Sequence, residues 1–194
     1  TYENAYNAGM GSNGLTSGRH DLLHHSYHTK YPESFDINTD EEYIYSGQFS
    51  LTDSLEGTPV DIGKALLSPT RTYAPILNKI MQDTALKGAI NGIIHCTGGA
   101  QTKVMKFLDK PLHIIKDSLL ETPPLYKTIH ETTGTSMKEM YEVFNMGHRL
   151  EIYCDKTIAN DLISIAASFN VEAQIIGRCE PNSQKKLTIA GISY

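Results

Sequence analysis

Apolar side chains fall into helix-spaced and strand-spaced runs along most of the chain, interrupted by one long stretch that keeps neither period. Leu15, Leu22, Leu23 and Tyr27 recur at helical spacing and predict a helix over about 13–27. From Tyr31 to Ile62 the pattern lapses; with Pro32, Pro59 and scattered acids it reads as a long excursion holding one or two short strands. Leu66 and Leu67 suggest a short extended piece, and Ile76, Leu77, Ile80 and Met81 a helical stripe. "INGIIHC" predicts a strand, and "TGGAQTKVMKFLD" a glycine turn into a helix with Val104, Phe107 and Leu108 facing inward.

"PLHIIKD" predicts another strand. Pro123 and Pro124 suit the first turn of a helix running through Ile129. Ser136 and Glu139 stand at capping-box spacing before Met137, Met140, Tyr141 and Phe144. Leu150, Ile152 and Cys154 alternate as in a half-buried strand, and Asp155 is placed to cap a helix whose face is Ile158, Leu162, Ile165 and Phe169. "VEAQIIGRCE" and "KKLTIAG" close as strands. The sum is a mixed α/β or α+β domain, the latter preferred, with helices layered on a sheet, expected as a single domain over 1–194 with an excursion at about 31–62.

Composition narrows the function classes. A hydrophobic share of 40% and a charged share of 20% are ordinary for a globular chain. A formal charge of −5 argues against a nucleic-acid partner, which calls for a basic patch. No apolar run approaches the ~20 residues of a membrane span, so no membrane partner is expected. Cys96, Cys154 and Cys179 are few, odd in number and far apart, which predicts a reducing, cytoplasmic setting; Cys154 and Cys179 sit in apolar runs and read as small buried hydrophobes.

Four corners carry candidate chemistry. In "GMGSNGLTSGR" the glycines permit close backbone approach at a helix start, where free N–H groups attract anions; Ser12, Asn13, Gly14 and Arg19 are the candidate phosphate ligands. The spacing is neither a Rossmann fingerprint nor a P-loop. In "SPTRTY", Thr70 and Arg71 offer a hydroxyl and a guanidinium fork at a second junction. In "HCTGGAQTK", Thr97, Gly98 and Gly99 form a third glycine corner beside His95, the candidate catalytic residue at a strand end. In "FNMGHR", Asn145 and Gly147 fit a helix end with a left-handed residue. His20, His24 and His28 share i, i+4 spacing, but with no acidic or cysteine partner evident they read as a solvated helix face, and no metal site is expected.

Taken in order, "GMGSNGLTSGR", "LLSPTRTYAPIL", "IIHCTGGAQTKV" and "FNMGHRLEIYC" resemble the C-terminal domain of the phosphoribosylaminoimidazole synthetase family, also called phosphoribosylformylglycinamidine cyclo-ligase. The chain departs from the family forms at Ala100, which replaces the third glycine of H-x-T-G-G-G, and at Gly11, Met146, His148 and Arg149. The resemblance implies a layered α/β/α domain with a mixed sheet. It also implies ATP-dependent closure of formylglycinamidine ribonucleotide to aminoimidazole ribonucleotide. ATP and Mg²⁺ are then held mainly by the family's N-terminal domain, which is also its route to a homodimer, and the isolated domain is inactive. The opening "TYENAY" reads as the interior of such a longer protein. Related families with the same plan are formylglycinamidine synthase, selenophosphate synthase and thiamine-monophosphate kinase. A non-catalytic ligand-binding domain of the same fold is the alternative from another class.

Overall fold

Backbone pairing breaks the helical period near the start of the chain. In the computed structural model, which describes residues 9–10, 14–68 and 70–194, the helix expected over about 13–27 is two helices, Leu15–Leu22 and Ser26–Lys30. Between them Leu23 and His24 bridge to Phe49 and Gly47. The His24 N–H donates to the Phe49 carbonyl at 2.9 Å and the Gly47 N–H to the Leu23 carbonyl at 3.1 Å. Groups committed to that bridge are lost to an unbroken helix. Gly47 is confined to glycine: an added Cβ would lie 2.2 Å from the Leu22 carbonyl.

Such bridges replace the strands expected in the excursion. The 31–61 backbone holds two 3₁₀ turns, Pro32–Ser34 and Glu41–Tyr43, and a bridge from Ser54 to Asp61. Its apolar patches fill the core instead, with Ile44, Tyr45, Leu55 and Val60 all buried. Leu66 is helical rather than extended. Asp61 accepts from the Lys64 N–H at 2.7 Å and caps the Ile62–Leu66 helix. Ile62 and Leu66, one turn apart, are buried, while Leu67 is 72% exposed.

The chain divides into two units, described separately. The first comprises 1–70, 97–100 and 121–147. Here the Leu15–Leu22 and Ile62–Leu66 helices pack on each other and on the Pro124–Thr133 helix. Pro124 occupies the first turn of that helix and Gly134, at φ 67°, ends it. Ser136 Oγ accepts from the Glu139 N–H at 3.3 Å and starts the Met137–Val143 helix.

The second unit comprises 71–96, 101–120 and 148–194. Strands β1 (Ile90–His95) and β3 (Leu150–Cys154) form an antiparallel pair. Strand β2 (Leu112–Lys116) lies between β4 (Gly177–Pro181), antiparallel, and β5 (Lys186–Ile189), parallel; β6 (Ile192–Ser193) adds a hairpin to β5. Ile76 and Ile80 of the Ala74–Gln82 helix cluster with Leu86 and with Leu162 of the Ala159–Ser168 helix, and Ile90 and Ile152 pack against them. The expected α-helix after β1 is a 3₁₀ helix, Ala100–Phe107. The Ala100 N–H donates to the Thr97 carbonyl at 2.6 Å, setting the i→i+3 pattern that the helix continues. Val104 is buried, but Phe107, at the helix end, is exposed, as is Phe169 beyond the Ala159–Ser168 helix. Helices with a mixed sheet make the chain α+β. No helix among the described residues is long and apolar enough to cross a membrane.

Candidate functional site

The first unit brings two of the four corners together through one side chain. Asn145 is 3% exposed. Its Nδ2 donates to the carbonyls of Met10 at 2.9 Å and Gly9 at 3.3 Å, at the mouth of the opening loop. Its Oδ1 accepts from the Tyr126 hydroxyl and from the Gly147 N–H, both at 2.9 Å. The "SPTRTY" corner contributes Ser68, whose Oγ accepts from the Gly9 N–H at 3.1 Å. Asn145 thereby fastens the loop mouth to the 145–147 turn, with its amide engaged by protein on both sides. Gly14 and Gly147 make the fit possible. Gly14, at φ 87°, would place a Cβ 2.7 Å from the Phe144 ring, and Gly147, at φ 93°, one 2.9 Å from the Pro123 ring.

Gly14, Arg19, Thr70, Thr97, Gly98, Gly99, Asn145 and Gly147 all fall within the first unit, and Arg71 and His95 within the second. Ser12 and Asn13 lie outside the described residues. Gly14 precedes the Leu15–Leu22 helix and accepts from the Gly18 N–H at 2.7 Å. Arg19 stands on that helix, and its Nε is buried with no hydrogen-bond partner among the described residues. Among those residues neither Arg19 nor Arg71 pairs with a carboxylate. Arg71 Nη1 donates to the Asn170 carbonyl at 3.4 Å. His95 is exposed at the end of β1, edge-on to Tyr73 at 6.3 Å between ring centroids. Partial burial, then Lys103, holds its pKa below the usual histidine value.

The histidine face read from the sequence is not uniform. His20 is 8% exposed, and its Nδ1 accepts from the Tyr45 N–H at 3.2 Å. Burial lowers its pKa. His24 lies in the bridge and His28 on the next helix. The cysteines differ in the same way: Cys96 is buried, Cys154 half-buried and Cys179 exposed, all free thiols with pKa raised chiefly by desolvation.

The second unit holds a polar cluster that the sequence reading missed. Lys116, 1% exposed at the end of β2, donates from Nζ to Glu151 Oε1 at 2.5 Å and to the Gln101 carbonyl at 2.7 Å. Glu151, 5% exposed on β3, accepts from the Tyr153 hydroxyl on its other oxygen at 2.7 Å. Burial and this carboxylate push the Tyr153 and Cys96 pKa values up. His148 is buried beside them, and its Nε2 accepts from the Leu120 N–H at 3.2 Å. Desolvation takes its pKa down to about 4. The one signal in sequence was a lysine closing the apolar run "HIIK".

The clamp between the opening loop and the "FNMG" turn joins motifs whose order already resembled one ligase family, and comparison with known proteins shows that likeness. No protein-family model matches the chain. It is similar to proteins named phosphoribosylformylglycinamidine cyclo-ligase. That of Methanocaldococcus jannaschii is 33% identical over 137 residues, 69% of this chain and 38% of the relative. That of Syntrophus aciditrophicus is 28% identical over 146 residues, 74% and 41%. That of Methanothermobacter thermautotrophicus is 38% identical over 101 residues, 52% and 28%. The chain is a relative of the cyclo-ligases of purine biosynthesis, and its matched part spans about two fifths or less of their length.

Proposed function

We propose that this chain supplies the C-terminal half of the active site of an ATP-dependent cyclo-ligase that closes formylglycinamidine ribonucleotide to aminoimidazole ribonucleotide. The observation that carries the reading is the Asn145 clamp. It ties Gly9 and Met10 to the "FNMG" turn, in the same unit as Gly14 and the helix bearing Arg19. Pre-set N–H groups and a guanidinium need no reorganisation when an anion arrives. The buried Arg19 Nε then gains an acceptor that no described residue provides. The ribonucleotide phosphate is assigned to the Gly14 end of the helix. The cleft of about 540 Å³ that Arg19 also lines carries Asp21, Glu33 and Asp36, whose field repels an anion.

In this reading ATP supplies a phosphoryl group that turns the formamide oxygen into a leaving group, and a neighbouring nitrogen closes the ring. In the first unit the glycine corners are the ribonucleotide candidates; in the second, Arg71 is a separate phosphate candidate and His95, at the strand end, the catalytic candidate. ATP and Mg²⁺ are assigned mainly to an N-terminal domain. The complete protein is read as a cytoplasmic homodimer, of layered α/β/α form in this part, and the isolated chain as inactive.

Arg19→Ala in the complete enzyme tests the reading. One lost charge-assisted bond is worth roughly 1.5–3 kcal/mol, so ribonucleotide affinity should fall about tenfold or more. Arg19→Lys should restore only part, because an ammonium lacks the fork. ATP affinity should fall less. Equal losses for both ligands, or none, would overturn the assignment.

A further inference from the structure

We propose that His25 and His28, at the Ser26–Lys30 helix, form with Glu41 of the excursion a surface site for a borderline divalent transition-metal ion such as Zn²⁺. Their ligand atoms all lie within 4.8 Å of one another. His25 Nε2 and Glu41 Oε1 are 3.7 Å apart. An ion at about 2.0–2.1 Å from each of two ligands at a tetrahedral angle separates them by roughly 3.3 Å, so a small turn of the exposed Glu41 side chain closes the gap.

Three features favour an ion over a chance surface cluster. First, His25 Nδ1 lies 3.2 Å from the Ile44 carbonyl. A carbonyl can only accept, so Nδ1 donates to it and Nε2 is the ring atom facing Glu41 and available to an ion, the second-shell arrangement typical of ligating histidines. Second, the two rings are neighbours, and a turn of the His28 ring about its Cβ–Cγ bond brings its in-plane lone pair round to an ion facing His25 Nε2. The His25 and His28 rings are 5.2 Å apart and within 7° of parallel, and Phe35 stacks on His28 at 4.8 Å. Third, the backbone behind the ligands is anchored. Ile44 is 2% exposed, and its N–H donates to the Glu41 carbonyl at 3.1 Å.

Two imidazoles and one carboxylate suit Zn²⁺, Co²⁺ or Ni²⁺, and suit Mg²⁺ poorly. A water completes the fourth position. The ion would tie the helix-start turn at His25 to the Glu41–Tyr43 turn, closing the intervening loop and stabilising the first unit by linkage.

The test is titration of the full chain with Zn²⁺ alone by calorimetry, and with Co²⁺ alone by visible absorption. The expected result is one ion bound per chain and a raised melting temperature with Zn²⁺. Co²⁺ should give a ligand-field band without a thiolate charge-transfer band. His28→Gln and Glu41→Gln should each weaken affinity at least about tenfold while far-UV circular dichroism stays unchanged. No binding, binding unaffected by either substitution, or a thiolate band pointing to the exposed Cys179 would overturn the proposal.

Discussion

The two clusters of ionisable groups in this chain solve opposite problems. Around Lys116 and Glu151 the charges are almost fully buried, and protein supplies the partners: a carbonyl and a carboxylate for the ammonium, an ammonium and a tyrosine hydroxyl for the carboxylate. Around His25, His28 and Glu41 two of the three groups are exposed and one is half-buried, with their ligand atoms gathered within 4.8 Å of one another. Burial raises the stakes of each missing partner, whereas water tolerates it. A closed buried network therefore reads as architecture, and an open, oriented surface cluster as a receptor.

Removing one partner from each cluster should break them unequally. Glu151→Ala leaves the Lys116 ammonium desolvated and unpaired. A broken buried pair costs about 3–5 kcal/mol, to be read from denaturant unfolding of the chain. Replacing both partners together, Lys116→Met with Glu151→Leu, should recover most of that loss, because the stranded charge goes with its mate. Glu41→Ala in metal-free buffer should leave the unfolding midpoint where it was. Comparable midpoint shifts for Glu151→Ala and Glu41→Ala would erase the distinction.

His148 adds a pH dependence to the buried cluster alone. Its folded pKa is down to about 4 against 6.5 for the unperturbed ring, mainly through desolvation, with Glu151 opposing and Lys116 assisting. Between those values the unfolded chain takes a proton that the native state refuses. The His148 contribution is therefore complete above about pH 6.5 and is lost as pH falls towards 4. At 1.36 kcal/mol per unit, the loss approaches about 3 kcal/mol. His148→Gln keeps an acceptor for the Leu120 N–H but does not titrate. Its stability should fall less steeply than that of the natural chain from pH 6.5 to 4.5. Parallel curves would show that His148 is not held neutral by the fold.

The sequence made the helices of the first unit and the strands of the second legible through period and caps. Ile76 and Ile80, Ser136 with Glu139, and Pro124 each did in the fold what their spacing implied. It misjudged places where a non-local partner outbid local pattern. Leu23 and His24 left their helix for a bridge to a segment more than twenty residues away. Alternation along "RLEIYC" pointed Leu150, Ile152 and Cys154 inward and Glu151 outward, yet Glu151 is the fully buried member because Lys116, on another strand, receives it. No periodicity rule can assign a buried charge before its partner is known. The candidate site was legible as four glycine or hydroxyl corners. Its fastening was not, since bonds of Asn145 reach 135 and 136 residues back and 19 residues back as well as two residues on.

The smallest expected effect lies at Ala100, which immediately precedes the Gln101 carbonyl that accepts from Lys116. Ala100 stands where the family resemblance has a glycine, and its φ of 42° is left-handed. That conformation costs a residue with a Cβ roughly 1–2 kcal/mol. Ala100→Gly would release this strain. Against the gain stand about 0.4–1 kcal/mol of extra unfolded-chain entropy and about 0.8 kcal/mol for the lost methyl, which is buried at 1% exposure. The terms nearly cancel, so Ala100→Gly should change stability by less than about 1 kcal/mol in either direction. Ala100→Val should instead destabilise clearly, because a β-branched side chain tolerates positive φ worse and the site has no room to spare. Paired unfolding curves for the two variants measure this. A large loss from Ala100→Gly would mean that the methyl itself props the carbonyl holding Lys116, and that the buried network depends on packing from its first neighbour outward rather than on its own hydrogen bonds.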